Sequence, residues 1–355
     1  MSGRILMYGA TGYTGEAIAR QLAGRFDLML AGRNPERLSA LGAELGLPWR
    51  AFDLAHPQTI AAGLRDCAVL LNAAGPYADT ALPLAQGCLA TGTHYLDVGG
   101  EWPVFEALMA LDEAARAAGV TLLPGLGLTI AASDCLLKRA LELWPDTARL
   151  CLGISRAHGM SRGSAATAAR LFEKQVMVRR DGKLEGVPLG SLTRSFDFGA
   201  GLRETTAMSW ADVVTGEHTT GIGNIEVYSE LPWWQRAGWR ASGVYASFTG
   251  AGPWRMAGGA LARAWRTEPG DKVRQQGRYT MVVEALDRWR RPRGLRLHTL
   301  DGYGTTVLVA AEGVQRILAG RAQPGFQTPG GLFGSAFIEE CGAGVFEPVR
   351  GSSAA

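Results

Sequence analysis

Three glycines near the start of the chain have the spacing of a phosphate-binding turn. Gly9, Gly12 and Gly15 follow a short apolar run, and a helix-like segment follows them. Glycine lets the backbone approach a pyrophosphate, and a helix N-terminus offers free N–H groups and the positive end of its dipole. This pattern predicts a dinucleotide site. Its expected contact residues are Gly9, Thr11, Gly12, Tyr13, Thr14 and Gly15.

An arginine stands where an NAD-binding sequence usually has an acid, about 20 positions after the glycines. The apolar stretch Asp27–Ala31 leads into Gly32, Arg33 and Asn34. Because a guanidinium can pair with a 2′-phosphate, Arg33 predicts NADP(H). We expect Asn34, and Asp53 after the third strand, to lie at the same site, with Arg37 assisting. The alternative for Arg33 is a solvated surface side chain.

Polar residues follow the carboxyl ends of the fourth and fifth predicted strands. A doubly wound sheet binds its ligand beyond the carboxyl ends of its strands. The small residues after strand four predict a close approach to the nicotinamide ribose: Ala73, Ala74, Gly75 and Pro76. The candidates for substrate contact or proton donation are Tyr77, His94, Asp97 and Glu101, and of these Tyr77, Asp97 and Glu101 are the catalytic candidates. The alternatives are a Tyr77 ring wedged under the cofactor, and carboxylates that only cap the following helix.

The elements that position these residues alternate as a doubly wound parallel sheet requires. We predict an α/β protein whose Rossmann NADP-binding domain covers residues 1–130 and whose inserted α+β substrate or dimerisation domain covers 131–302. Residues 303–355 are predicted to return as helices to the Rossmann domain. Within the insertion, the pattern predicts a helix over Ser164–Val178 and a long loop over Asp181–Gly201.

Composition excludes several functional classes. The chain has 355 residues, 47% of them hydrophobic, and a net charge of only +3, which gives no indication of nucleic-acid binding. Its five scattered cysteines predict free thiols in a reducing cytoplasm and no metal site. No uninterrupted apolar run is long enough to predict a transmembrane helix, and the N-terminus shows no signal peptide.

The stretch 231–266 combines five tryptophans with five arginines and contains no acidic residue. This combination suits peripheral membrane contact, a lid over a lipid-like or acyl substrate, or an aromatic core with solvated arginines. The sequence also leaves open whether the protein forms a homodimer.

Several motifs together resemble the saccharopine dehydrogenase-like NADP-binding oxidoreductases. The motifs are Gly9–Gly15, Ala31–Asn34, Asn72–Tyr77, Gly92–Glu101, Asp301–Thr306 and Thr328–Pro329. The resemblance covers both ends of the chain, is weak over residues 135–300, and implies a Rossmann domain with an inserted α/β domain. The family commonly has a proline shortly before a Ser-Asp pair, whereas this chain has Ala131 and Ala132 before Ser133 and Asp134.

The family includes saccharopine reductase and trans-acting enoyl reductases, so the resemblance implies an NADPH-dependent reductase. The expected acceptor is a C=C or C=N bond of a small or lipid-like substrate. No tyrosine has lysine four positions later, which argues against a short-chain dehydrogenase. The remaining alternatives are a saccharopine-type imine reductase and a regulator that senses NADP(H) without turnover.

Overall fold

The computed structural model describes residues 3–155, 175–232 and 278–349. The chain forms two compact units. Unit 1 comprises residues 1–131 and 303–332, and unit 2 comprises residues 132–302 and 333–355. The chain therefore leaves unit 1, builds most of unit 2 and returns.

Unit 1 contains a parallel sheet of seven strands in the order β15-β6-β5-β4-β1-β2-β3. The strands are β1 (Arg4–Tyr8), β2 (Leu28–Gly32), β3 (Trp49–Ala51), β4 (Cys67–Asn72), β5 (His94–Asp97), β6 (Thr121–Leu123) and β15 (Gly325–Phe326). Strand order reverses between β1 and β4, so the ligand-binding crevice lies beyond their carboxyl ends. The predicted doubly wound Rossmann sheet is confirmed.

The helices of this unit cover the sheet as the apolar patterns require. They are α1 (Tyr13–Leu22), α2 (Pro35–Leu45), α3 (Pro57–Gly63), α4 (Tyr77–Thr91), α5 (Trp102–Met109), α6 (Asp112–Ala118), and α9 (Gly302–Arg316) with a π-helical turn at Ile317–Arg321. Helix α7 (Leu128–Leu143) runs across the boundary between the units. In α2, the Asn34 side chain caps the N-terminus, Pro35 takes the first position and Gly46 ends the helix in the left-handed conformation.

Unit 2 is built on a mixed sheet of nine strands. Seven of them follow the order β10-β11-β12-β7-β13-β14-β16, while β8 pairs with β12 and β9. The strands are β7 (Thr147–Ile154), β8 (Gln175–Arg180), β9 (Lys183–Pro188), β10 (Thr193–Asp197), β11 (Leu202–Ala207), β12 (Ile225–Ser229), β13 (Tyr279–Asp287), β14 (Pro292–Thr299) and β16 (Gly344–Pro348). The unit also contains α8 (Asp212–Thr220) and the short helices α10 (Pro329–Phe333), whose last residue belongs to it, and α11 (Phe337–Glu340).

The structure corrects three sequence predictions in this half of the chain. The predicted loop Asp181–Gly201 contains β9 and β10, and the end of the predicted helix Ser164–Val178 is strand β8. Cross-strand pairing stabilises these segments, whose local sequence is rich in glycine and polar residues. Residues 333–355 belong to unit 2 rather than unit 1, because β16 pairs antiparallel with β14.

Candidate nucleotide site and the polar network beside it

The turn between β1 and α1 has room for glycine alone at two positions. Gly9 has a φ of +85°, and a Cβ there would lie 2.7 Å from the backbone nitrogen of Ala74. A Cβ on Gly15 would overlap the carbonyl oxygen of Gly9. Gly12 is the N-cap residue of α1, and it makes no side-chain capping hydrogen bond. The N-terminal N–H groups of α1 are therefore presented for an anion, as a pyrophosphate requires.

The segment after β4 is held against this turn by backbone and side-chain hydrogen bonds. The Ala73 N–H donates to the Tyr8 carbonyl at 2.8 Å. The Ala74 N–H donates to Asn72 Oδ1 at 3.0 Å, and the Ala74 carbonyl accepts from the Thr80 hydroxyl at 2.7 Å. Gly75 and Pro76, joined by a cis peptide bond, follow directly. Small side chains at Ala73 and Ala74 allow this close backbone approach.

Arg33 and Arg37, which follow β2, differ in their contacts. Arg33 is exposed, and its guanidinium forms no hydrogen bond or ion pair within the part of the chain that the structure describes. Arg37 instead donates through Nη2 to the Thr11 carbonyl at 2.6 Å. The Asn34 side chain accepts the backbone N–H group of Arg37 at 2.7 Å. The Asp53 side chain accepts the backbone N–H group of Ala55 at 3.0 Å. Arg33 is thus available for a 2′-phosphate.

A buried hydrogen-bond network joins the carboxyl ends of β4 and β5. Asn72 Nδ2 donates to the Thr80 hydroxyl at 3.1 Å and to the Tyr95 hydroxyl at 3.3 Å. The Tyr95 hydroxyl donates to Asp97 Oδ2 at 2.7 Å. Asp97 Oδ1 accepts the N–H groups of Gly99 and Gly125, each at 2.9 Å. The Asp97 carboxylate therefore organises the loops after β5 and β6.

Asp97 is fully buried, and this raises the pKa of its carboxyl to about 6. Burial has the largest effect, because a charged carboxylate loses its hydration. The three hydrogen bonds from Gly125, Tyr95 and Gly99 oppose this effect, while the charge of Glu101 adds to it.

Glu101 caps the N-terminus of α4. Its two carboxylate oxygens accept the N–H groups of Tyr77 and Ala78, each at 3.0 Å. The sequence left open that Asp97 and Glu101 only cap the helix that follows them. Glu101 instead caps α4, a helix that precedes it in the chain. A carboxylate at a helix N-terminus also interacts favourably with the helix dipole.

Tyr77 begins α4 with its ring against Gly99, where an added Cβ would lie 2.9 Å from the ring. Its hydroxyl makes no hydrogen bond to any described residue. Burial, followed by the charges of Asp97 and Glu101, raises the pKa of this hydroxyl well above its ordinary value. Tyr77 therefore holds its proton at neutral pH.

His94 does not join this group. It begins β5, at the edge of the sheet opposite the carboxyl ends, and its Nδ1 accepts the Thr121 N–H at 3.1 Å. Burial lowers the pKa of the imidazole, which is consistent with a neutral acceptor. The prediction of substrate contact by His94 is wrong, because the residue lies at the wrong end of the strand.

Tyr303 is a site neighbour that sequence reasoning did not identify. Its ring packs edge-to-face on Tyr13, with ring centroids 4.8 Å apart and an angle of 84° between the ring planes. Tyr303 opens the returning segment of unit 1, so the second part of the chain contributes to the glycine turn. The sequence motif Asp301–Thr306 contains Tyr303, but nothing in the sequence indicates that its ring contacts Tyr13.

Within residues 3–155, 175–232 and 278–349, no group of three or more His, Cys, Asp or Glu side chains is placed to hold a metal ion. No helix of these ranges is long and apolar enough to cross a bilayer. The arginine- and tryptophan-rich stretch 231–266 lies outside the described residues from position 233 onward.

Residues 5–123 match the family model of the saccharopine dehydrogenase NADP binding domain. This match confirms the predicted family resemblance and the predicted NADP(H) cofactor. The glycine turn fits such a nucleotide, and so does Arg33, whose guanidinium has no partner among the residues that the structure describes. The match supports assignment to the oxidoreductases.

Curated relatives are similar to part of the chain. A trans-acting enoyl reductase of Mycobacterium leprae is 34% identical over 160 residues, which cover 41% of this chain and 38% of the relative. A trans-acting enoyl reductase of Mycobacterium ulcerans is 37% identical over 105 residues, covering 27% of this chain and 25% of the relative. The matched region is thus well under half of each relative.

Two solved structures show the same fold over nearly the whole chain. Saccharopine dehydrogenase (L-Glu forming) from Saccharomyces cerevisiae has a TM-score of 0.66 at 13% identity and covers 98% of this chain and 100% of its own. Homospermidine synthase from Legionella pneumophila, in complex with NAD, has a TM-score of 0.65 at 11% identity, covering 98% and 92%. At these identities the likeness concerns the fold alone.

Proposed function

Since residues 5–123 belong to the saccharopine dehydrogenase NADP-binding family, we propose that this protein is an NADPH-dependent reductase of a C=C or C=N bond. The supporting observation is the position of Tyr77, which begins α4 just after β4, at the switch point of the sheet. The hydroxyl is not engaged by another described residue, so it is free to serve a substrate.

The bound cofactor supplies the hydride, and the chain supplies position and a proton. Arg33 would pair with the 2′-phosphate, while the glycine turn and the α1 N-terminus would hold the pyrophosphate. Tyr77 is the proposed proton donor to the reduced substrate. Asp97 and Glu101 are positioning residues: Asp97 fixes the Gly99 and Gly125 loops, and Glu101 fixes the first turn of the helix that carries Tyr77.

An enoyl substrate, with a C=C bond conjugated to an acyl carbonyl, is the favoured acceptor. The relatives of highest sequence similarity quoted above are named trans-acting enoyl reductases. Reduction of such a bond requires a hydride at one carbon and a proton at its neighbour, which matches one cofactor and one neutral donor. The competing acceptor is a C=N bond, as in a saccharopine-type imine reductase. The small-molecule substrate is therefore proposed to be lipid-like or acyl.

The experiment compares the wild-type protein with Tyr77→Phe and the control Tyr8→Phe, whose hydroxyl donates to the Phe52 carbonyl in the same unit. NADPH oxidation is followed with enoyl thioesters of increasing acyl length and with a cyclic imine. We expect Tyr77→Phe to lower kcat roughly 100-fold, the scale of general acid catalysis, without changing the Kd for NADPH. Tyr8→Phe should keep its kcat.

Three outcomes would change the proposal. A kcat unaffected in Tyr77→Phe would remove Tyr77 as proton donor while leaving the reductase in place. Turnover of the imine but not the enoyl thioesters would assign the C=N reaction. NADPH binding without turnover of either class would instead favour the NADP(H)-sensing regulator.

A further inference from the structure

The turn between β13 and β14 presents an exposed tryptophan among arginines. Trp289 is 58% exposed. The guanidinium carbons of Arg288 and Arg291 lie 3.9 and 4.6 Å from the centroid of its ring. Guanidinium groups over an indole face interact with the negative potential of the ring, so the aromatic and cationic groups form one cluster. We call residues 288–291 the Trp289 turn.

The turn is held in one conformation by Asp287, whose side chain is 6% exposed. Asp287 Oδ1 accepts the N–H groups of Trp289 at 2.8 Å and Arg291 at 3.0 Å. Asp287 Oδ2 accepts from Arg291 Nε at 2.9 Å. These three bonds fix the backbone that carries Trp289, so little conformational entropy is lost when the turn meets a partner.

The Trp289 turn extends past both neighbouring strands of its sheet. On one side, Asp287 lies opposite Thr147, the first residue of β7. On the other side, the last registered pair of β14 and β16 joins Leu295 and Pro348. Among the described residues, the four turn residues therefore extend beyond both neighbouring strands of their sheet.

The charge at the turn is positive. Its acidic neighbours already have cationic partners: Asp287 pairs with Arg291 at 2.9 Å, and Asp146 pairs with Arg293 at 2.6 Å. Arg288 and Arg290 form no ion pair with any residue in the described ranges. Two uncompensated positive charges thus flank an exposed indole.

We propose that the Trp289 turn is a contact site for an anionic membrane surface. Indole rings partition to the headgroup level of a bilayer, and each arginine near an anionic surface adds attraction. A four-residue projection is too small for a stable protein interface, which buries roughly 800 Å² on each partner. Stacking on a nucleic-acid base is disfavoured because guanidinium groups already cover the ring. The chemistry therefore fits phospholipid headgroups carrying net negative charge.

Vesicle sedimentation with the full-length protein tests this inference. Vesicles of phosphatidylcholine with an equal part of phosphatidylglycerol are compared with vesicles of phosphatidylcholine alone. We expect binding to the anionic vesicles only, weakening as salt rises. Trp289→Ala should reduce the partition coefficient roughly fivefold, and Arg288→Ser with Arg290→Ser roughly tenfold or more.

Matched controls separate the turn from general surface properties. Leu202→Ala removes another exposed apolar side chain of unit 2, 74% exposed, and should leave vesicle binding unchanged. Arg65→Ser with Arg321→Ser removes two exposed charges from unit 1 and should reduce binding less than twofold. NADPH binding and thermal unfolding report that each variant is folded.

Three results would overturn the inference. The first is wild-type protein that does not sediment with anionic vesicles at low salt. The second is binding that falls equally in the unit 1 arginine variant and is insensitive to Trp289→Ala, which would indicate attraction by net charge alone. Stronger retention on a soluble acidic polypeptide than on vesicles would assign the turn to a protein partner instead.

Discussion

The guanidinium of Arg37 donates a hydrogen bond to the Thr11 carbonyl oxygen at 2.6 Å. This bond connects the first turn of α2 to the glycine turn, two segments separated by the whole of α1 and β2. Arg37 thus fixes the backbone that would receive the pyrophosphate. Arg33, four residues earlier, keeps its guanidinium for the nucleotide. The two arginines are therefore expected to affect cofactor binding differently.

Arg37→Met should weaken NADPH and NADH binding by similar factors, roughly three- to tenfold, because both nucleotides carry the pyrophosphate. Fluorescence titration of the two nucleotides measures this change. A loss confined to NADPH would show that Arg37 acts on the 2′-phosphate rather than on the Thr11 backbone.

Arg33→Ala should weaken NADPH binding about tenfold or more and leave NADH binding nearly unchanged. Only NADPH carries the 2′-phosphate, and a hydrogen bond to a charged group contributes about 1.5–3 kcal/mol. Arg65→Ala, at an exposed arginine elsewhere in unit 1, is the control. Equal losses for the two nucleotides would contradict the assignment of Arg33.

Gly15→Ala should abolish measurable nucleotide binding and lower the melting temperature, because the new Cβ would overlap the Gly9 carbonyl oxygen. Gly32→Ala is the matched control, since a Cβ there meets only the Leu38 side chain, at 3.9 Å. Calorimetric melts with and without NADPH measure both effects. Normal binding by Gly15→Ala would show that the turn can rearrange.

Asp97→Asn should reduce the pH dependence of stability. The folded-state pKa of Asp97, about 6, lies above the ordinary aspartate value of 3.8, so the folded protein binds this proton more tightly. Stability therefore falls as pH rises through this range, by about 1 kcal/mol from pH 5 to pH 7.5. Asparagine can keep the Gly99 and Gly125 bonds through Oδ1.

Urea unfolding of both proteins at the two pH values isolates this contribution as the difference between their pH dependences. Identical pH dependences for wild type and Asp97→Asn would show that the Asp97 carboxyl does not titrate abnormally. The comparison cancels the contributions of other titrating groups.

Much of unit 1 could be predicted from local sequence. The prediction of strand β1 matches its observed bounds, Arg4–Tyr8, because a short apolar run that ends at a glycine turn is typical of a buried strand. The strands of unit 2 were harder to predict from the sequence. Lys183–Pro188 and Thr193–Asp197 are polar, and they become strands through pairing with distant partners. Local propensity does not contain that information.

The glycine turn, Arg33 and the residues that follow β4 and β5 could be predicted from the sequence, because spacing along one chain segment defines them. Their contact partners depend on tertiary packing. The tertiary structure assigned Glu101 to the cap of α4, Asp97 to the loops after β5 and β6, and Arg37 to Thr11. These contacts join segments far apart in the chain, and each depends on packing that brings a donor within hydrogen-bond distance of its acceptor.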